Sequence, residues 1–206
     1  PPAQGLFHRA IAQSPPIGLI HSKAQSQLWA RQLLARLGMV PESTVEDLRQ
    51  VSADELVRAG MSMMWRGGEL QFLNSTFGPT VESESLPEHP MVAFQQGKQA
   101  RVPLMLGTNL DEAGITRYFF QRSTRRAKAG RRLLYPYDPE HTDTVLEAYG
   151  GARTRAEFAD LVTDALFWAP TIRIASHHNE YAPTWMYRFD FAPQLMRKLG
   201  IGAAHS

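Results

Sequence analysis

The 206-residue sequence contains no cysteine. That absence excludes thiolate zinc sites, iron–sulfur clusters, a thiol nucleophile and a disulfide framework within it. It leans towards a reducing cytoplasm without fixing the compartment. No run approaches the roughly 18 to 20 uninterrupted apolar residues that cross a bilayer, so no membrane span is expected. The opening Pro-Pro-Ala-Gln-Gly lacks the basic-then-apolar layout of a secretory signal. Neither sign of charge dominates: 22 Lys and Arg face 20 Asp and Glu, for a net +2. A balance that even gives no ground for a nucleic-acid partner. The excess is local, because Arg122, Arg125, Arg126, Lys128, Arg131 and Arg132 stand without an intervening anion and leave the remainder at −4. With 43% apolar residues the chain is long enough to bury a substantial core.

No repeat of about 20 to 50 residues and no low-complexity linker divides the chain, which is read as one domain or a piece of one. Phe7 to Gln13 is a short strand candidate with a helical competitor, stopped by Ser14-Pro15-Pro16. A helix is predicted from about Lys23 to Leu37 on the stripe Leu28, Leu33, Leu34 and Leu37, with Gly38 as its stop. Two shorter helices are predicted near 43–50 and 52–59, the second opened by the capping box Ser52 and Glu55. Turn formers crowd Gly67 to Pro90, so FGPTVESESLPEHP reads as an irregular loop. VPLMLGT, apolar on both faces, suits a strand inside a parallel sheet and opens into Asn109-Leu110-Asp111-Glu112. Helices are predicted at about 138–149, 154–166 and 169–181, then a strand at 184–191 whose following loop ends at Ser206. Strands separated by helical stretches indicate an α/β fold with a mostly parallel sheet. Trp65, Phe72, Trp168 and Trp185 are expected in the core.

Ligands of open α/β sheets bind beyond the carboxyl ends of the strands. Ser14, the pair Asp111 and Glu112, and His205 all stand in such places. A serine, a carboxylate and an imidazole at one edge are the parts of a hydrolytic triad, although polar residues follow strands in any α/β protein. Ser14 is a poor nucleophile: no G-x-S-x-G elbow exists in the chain, and Pro15 has no N–H to lend to an oxyanion hole.

Five segments, in order, resemble the type-B carboxylesterases of the α/β-hydrolase fold, a family that includes the bacterial para-nitrobenzyl-type esterases and the cholinesterases. GLFHRAIAQS is similar to the segment that follows the family's G-E-S-A-G elbow, and FGPTVESESLPEHP to its F-x-P-x-V-D-G-x-x-L-P-x-x-P stretch. VPLMLGTNLDEAGITRYFF resembles P-x-L-x-G-x-N-x-D-E-G-x-x-F, in which the Glu is the triad acid. LFWAPTIRIASHHNEYAPTWMYRFDF resembles the F-x-x-P helix and Y-R-F-D strand, and GIGAAHS the G-A-x-H-G loop of the triad histidine. The resemblance implies a partial α/β-hydrolase domain over 1–206, lacking the N-terminal portion with the elbow and the extreme C-terminal segment. It makes Glu112 the acid, His205 the general base, Asp111 the structural half of the acidic pair and Ser14 a supporting hydroxyl near the acid. It implies a small-molecule carboxylic ester as substrate, hydrolysed through an acyl-enzyme, with no cofactor, metal, nucleic acid or membrane and with the oligomeric state open. The isolated chain is expected to lack turnover, and to aggregate or stay partly unfolded through exposed strand edges and apolar patches.

Two departures bear on the loops. Ala113 replaces the glycine after the acid, with Gly114 one place later, which opens the prospect of a shifted loop; Ser206 replaces the glycine after the histidine. Near the acid, Ile115 and Thr116 stand where the family often has aromatics, so cholinesterase substrate preference is not transferred. An alternative reading is a non-catalytic binding or adhesion protein of the same fold. A third is a lipid- or nucleic-acid-binding module using residues 122–132. His177 and His178 are adjacent on a predicted helix and point to different faces, and His8, His21, His89 and His141 have no partner at ligand spacing.

Overall fold

The computed structural model describes residues 3–66, 76–118, 120–135 and 138–205, without the side chains of 64–66. Phe72, the side chain of Trp65 and Ser206 therefore lie outside the described residues. The chain divides into two compact units, one formed by Pro1–Gly18 with Glu88–Ser206 and the other by Leu19–Pro87.

The first unit is built on three parallel strands in the order β1 (Ala10–Gln13), β2 (Leu104–Asn109) and β3 (Thr184–Phe189). Their register aligns Ala10 with Leu104 and Leu104 with Thr184. On one face of β2, Leu104, Leu106 and Thr108 are buried. The other face was expected to be equally covered, yet Met105 is 41% exposed beside Ile11 at 67% and Trp185 at 54%, all three in one register row. Helices of a parallel sheet cover both faces; the described elements of this unit cover one. Trp185, expected in the core, is therefore exposed.

Strand β2 is fixed near its start by polar contacts and near its end by a steric one. At the start, His178 Nε2 meets the Val102 carbonyl at 2.8 Å and Nδ1 lies 3.3 Å from Gln99 Nε2, which seats the helix carrying this fully buried imidazole. At the end, Gly107 lies against the Tyr187 ring so closely that a Cβ would approach within 1.9 Å of it, so only glycine fits there.

In the Leu19–Pro87 unit, α1 (Lys23–Arg36) begins at Ser22, whose hydroxyl accepts from the Gln25 N–H. Its buried residues are Trp29 and Leu34, with Leu28 left exposed. A short α2 (Val45–Leu48) follows, and then α3 (Ala53–Arg66), opened by the expected Ser52–Glu55 box. Helix α3 runs past Gly60 because that glycine serves packing: a Cβ there would stand 3.3 Å from the Phe77 ring.

Among the described residues, five further α-helices of the first unit precede β3. Helix α4 (Pro90–Gln95) was not anticipated, although His89 caps it and Pro90 occupies its first turn. Helix α5 (Ser123–Leu134) takes up the basic run; Arg126, Ala129, Gly130 and Leu133 form its buried face. The Arg126 guanidinium donates to the carbonyls of Phe120 at 2.6 Å and Arg153 at 2.8 Å, so a cation is seated among satisfied acceptors. Helix α6 (Thr142–Ala148) precedes α7 (Arg155–Thr163), which begins with a Thr154–Glu157 capping box. One π-turn, Asp164–Trp168, joins α7 to α8 (Ala169–Asn179) without the expected break. Pro170 has no N–H for the ordinary i→i−4 bond, and Ala169 N–H reaches back to Asp164 instead. A last short helix, α9 (Gln194–Lys198), follows β3.

Candidate active site

Two neighbouring strands deliver the acid and the imidazole. Strand β2 ends at Asn109, and the turn after it carries Asp111 and Glu112. Beyond β3 the chain passes α9 and reaches 202–205, which lies against that turn. Four hydrogen bonds join them: Asp111 N–H to Ala203 O (3.1 Å), Ala203 N–H to Asp111 Oδ2 (3.0 Å), Asn109 Nδ2 to Ala204 O (2.9 Å) and His205 N–H to Glu112 O (3.1 Å). Gly202 has a φ of +69°, and a Cβ there would stand 2.0 Å from Asp111 Oδ2, so both conformation and space demand glycine.

Within this frame His205 Nδ1 lies 2.9 Å from Glu112 Oε2. The carboxylate side chain is fully buried, whereas the imidazole is 46% exposed. Glu112 Oε1 accepts the Asn109 backbone N–H at 2.6 Å, so each carboxylate oxygen has a partner. An ionised carboxylate makes Nδ1 the protonated nitrogen and leaves the Nε2 lone pair to act as a base. Phe167, from the π-turn, packs on the ring with centroids 5.2 Å apart.

The acid loop is held from behind. Ala113 N–H donates to Thr163 Oγ1 at 3.0 Å, and Thr116 closes the turn onto the Ala113 carbonyl. A Cβ on Gly114 would lie 2.0 Å from the Ile201 carbonyl. The requirement for glycine thus falls at 114, and with Ala113 after it Glu112 still meets His205. Arg117 lies 3.8 Å from both Asp111 and Asp160. Burial raises the pKa of Asp160, with Arg117 opposing the shift.

Ser14 follows β1 with a φ of 50°, its N–H donating to Gly107 O at 2.7 Å. It lines a cavity of about 470 Å³ together with His205, Asn109, Gln13, Tyr187 and Phe189. Among the described residues its hydroxyl makes no hydrogen bond to Glu112, both of whose oxygens are engaged by Asn109 and His205. All four candidate positions therefore gather at the carboxyl end of the sheet. Asn109 and Phe167 join them unforeseen. Asn109 had a legible signal, a polar residue ending an apolar strand; Phe167 had none, because its approach to His205 depends on the π-turn.

A parallel α/β sheet with an acid–histidine pair beyond its strand ends defines a partial α/β-hydrolase. The carboxylesterase family model matches residues 1–206, and the chain belongs to that family. It is 31% identical to the para-nitrobenzyl esterase of Bacillus subtilis (strain 168) over 205 residues, 94% of this chain and 39% of the relative. It is also 31% identical to liver carboxylesterase 1 of Mus musculus, covering 95% of this chain and 39% of that protein. A solved structure of a thermophilic PNB esterase superposes with a TM-score of 0.79 at 30% identity, over all of this chain and 41% of the other. The chain thus spans about two fifths of the length of these relatives.

Proposed function

We propose that this chain is the part of a serine carboxylic-ester hydrolase that supplies the acid and histidine of the triad, with the nucleophile contributed by sequence outside these 206 residues. The observation that carries the reading is the 2.9 Å contact between His205 Nδ1 and the fully buried Glu112 carboxylate. The names of the relatives, para-nitrobenzyl esterase and liver carboxylesterase, support a small-molecule carboxylic ester as substrate.

In this reading His205 Nε2 takes the serine proton as the oxygen attacks the ester carbonyl. The resulting imidazolium is stabilised by Glu112, and its Nε2–H passes to the departing alcohol as the acyl-enzyme forms. Water then repeats the cycle: Nε2 removes its proton, the hydroxyl adds to the acyl carbon, and the proton returns to the serine oxygen as the acid leaves. Asp111 is assigned to holding the histidine loop, and Ser14 to lining the pocket beside His205.

The test uses fluorophosphonate labelling and hydrolysis of a para-nitrophenyl ester. The 206-residue chain alone is expected to show neither. The complete polypeptide carrying this sequence is expected to show both, and to lose hydrolysis with Glu112→Gln or His205→Ala. Labelling of the isolated chain that survives Ser14→Ala overturns the assignment, as does unimpaired hydrolysis by the His205→Ala protein.

A further inference from the structure

A second cavity of about 420 Å³, within the range of about 300 to 1,000 Å³ typical of small-molecule sites, shares no described lining residue with the one at His205. Its apolar wall includes Met91 of α4, Leu134 of α5, and Ala165, Ala169 and Pro170 around the π-turn and the start of α8. Ala165 and Ala169 are one turn apart on a common face, whereas Phe167, between them, packs on His205. One helical segment therefore separates the two cavities.

Among the described polar groups of this second cavity, Arg173 carries the formal charge. Arg173 and His177 are four residues apart on α8 and face the same side. Among the described residues no acidic side chain lines the cavity and Arg173 has no ion pair. His89 is committed to the protein. Its Nδ1 accepts the Met91 N–H at 3.2 Å, it has a backbone hydrogen bond with Ile17, and burial lowers its pKa. Gln95 is the remaining polar group among the described lining residues.

An apolar chamber in which the one cation among the described residues is an unpaired guanidinium selects a ligand with an aliphatic tail and a single anionic head. A planar carboxylate matches the guanidinium fork with two parallel hydrogen bonds. We propose that this cavity binds an amphiphilic monocarboxylate, its chain among Met91, Leu134 and Ala165 and its carboxylate on Arg173 with His177 beside it. The inference is independent of the hydrolase reading, since it concerns binding across the helical segment from the acid–histidine pair.

The experiment titrates the complete polypeptide carrying this sequence, by calorimetry, with octanoate and with 1-octanol. Octanoate is expected to bind with 1:1 stoichiometry, at least tenfold more tightly than the alcohol. Arg173→Gln, at an exposed position, is expected to weaken octanoate at least tenfold and the alcohol less than twofold. Ala169→Phe, which fills the chamber from an exposed position, is expected to remove both. Arg125→Gln, on the outer face of α5, is expected to change neither and so controls for bulk charge. The proposal is overturned if octanoate fails to bind or binds no better than octanol. It is equally overturned if Arg173→Gln has no effect, if Arg125→Gln weakens octanoate as much as Arg173→Gln does, or if octanoate binding survives Ala169→Phe. Loss of Glu112→Gln activity is unaffected by any of these results, so the two readings fail separately.

Discussion

Replacing Glu112 by Gln changes two atoms' chemistry and almost no volume, which isolates what the carboxylate does for His205. Glu112 Oε1 accepts the Asn109 N–H at 2.6 Å and Oε2 faces His205 Nδ1 at 2.9 Å. In Glu112→Gln the amide oxygen keeps the Asn109 bond, and the amide nitrogen must face the imidazole. That nitrogen donates, so Nδ1 becomes an acceptor and the ring proton moves to Nε2. A hydrogen bond to a charged group is worth about 1.5–3 kcal/mol, a preference of about 10- to 150-fold for the Nδ1–H tautomer in the parent protein. The exchange inverts that preference. A base in the wrong tautomer loses on the order of 10⁴ in kcat, about 5.5 kcal/mol of transition-state stabilisation. Because Asn109 keeps its partner and a buried charge is removed, stability is expected to move by only about 1 kcal/mol. Histidine-selective ¹⁵N NMR reads the tautomer directly, and ester hydrolysis by the complete polypeptide reads the rate. An imidazole that keeps its proton on Nδ1 in the variant, or a rate within tenfold of the parent, refutes the reasoning.

Gly202→Ala forces a side chain into a left-handed position costing about 1–2 kcal/mol and onto Asp111, so it is expected to release the 202–205 loop and speed amide exchange at Ala203 and His205. Exchange at parental rates there contradicts this. Arg126→Met is expected to lower stability by about 2–4 kcal/mol, because two buried carbonyls, of Phe120 and Arg153, lose their donor; thermal unfolding measures it at about 2–4 °C per kcal/mol. The His89 pKa lies below its ordinary value, so the unfolded chain binds the proton more readily. Stability from this group is therefore full above about pH 6.5 and falls as pH drops through the folded pKa. Denaturant unfolding of parent and His89→Gln proteins between pH 7.5 and 5 should show a shallower decline in the variant.

The apolar run VPLMLGT was readable as a β-strand because little else in this chain packs so many apolar residues between turn signals. The acid–histidine assignment came from motif order rather than periodicity, and the two loops do meet. Helix α5 was hidden for a physical reason. Its inner face has the helical spacing 126, 129, 130 and 133, but those positions hold Arg, Ala, Gly and Leu. The arginine reads as solvent-facing until its carbonyl partners, Phe120 and Arg153, are known to lie over it. Gly130 reads as a breaker until its closeness to Leu161 of α7 is seen, where a Cβ would stand 2.8 Å from the side chain. Helix α4 was masked by the density of turn formers before Pro90, which is a residue suited to a first turn. The π-turn depends on where α7 must end and α8 must seat, and those are tertiary facts.

The open row on the sheet also has an optical use. Trp185 stands in it at 54% exposure, whereas Trp29 is buried in the other unit. Indole emission shifts to the blue and resists aqueous quenchers when the ring leaves water. A Trp185→Phe difference spectrum therefore isolates the signal of this one face. Acrylamide quenching of the 206-residue chain against the complete polypeptide then measures, without any label, whether Ile11, Met105 and Trp185 remain in solvent.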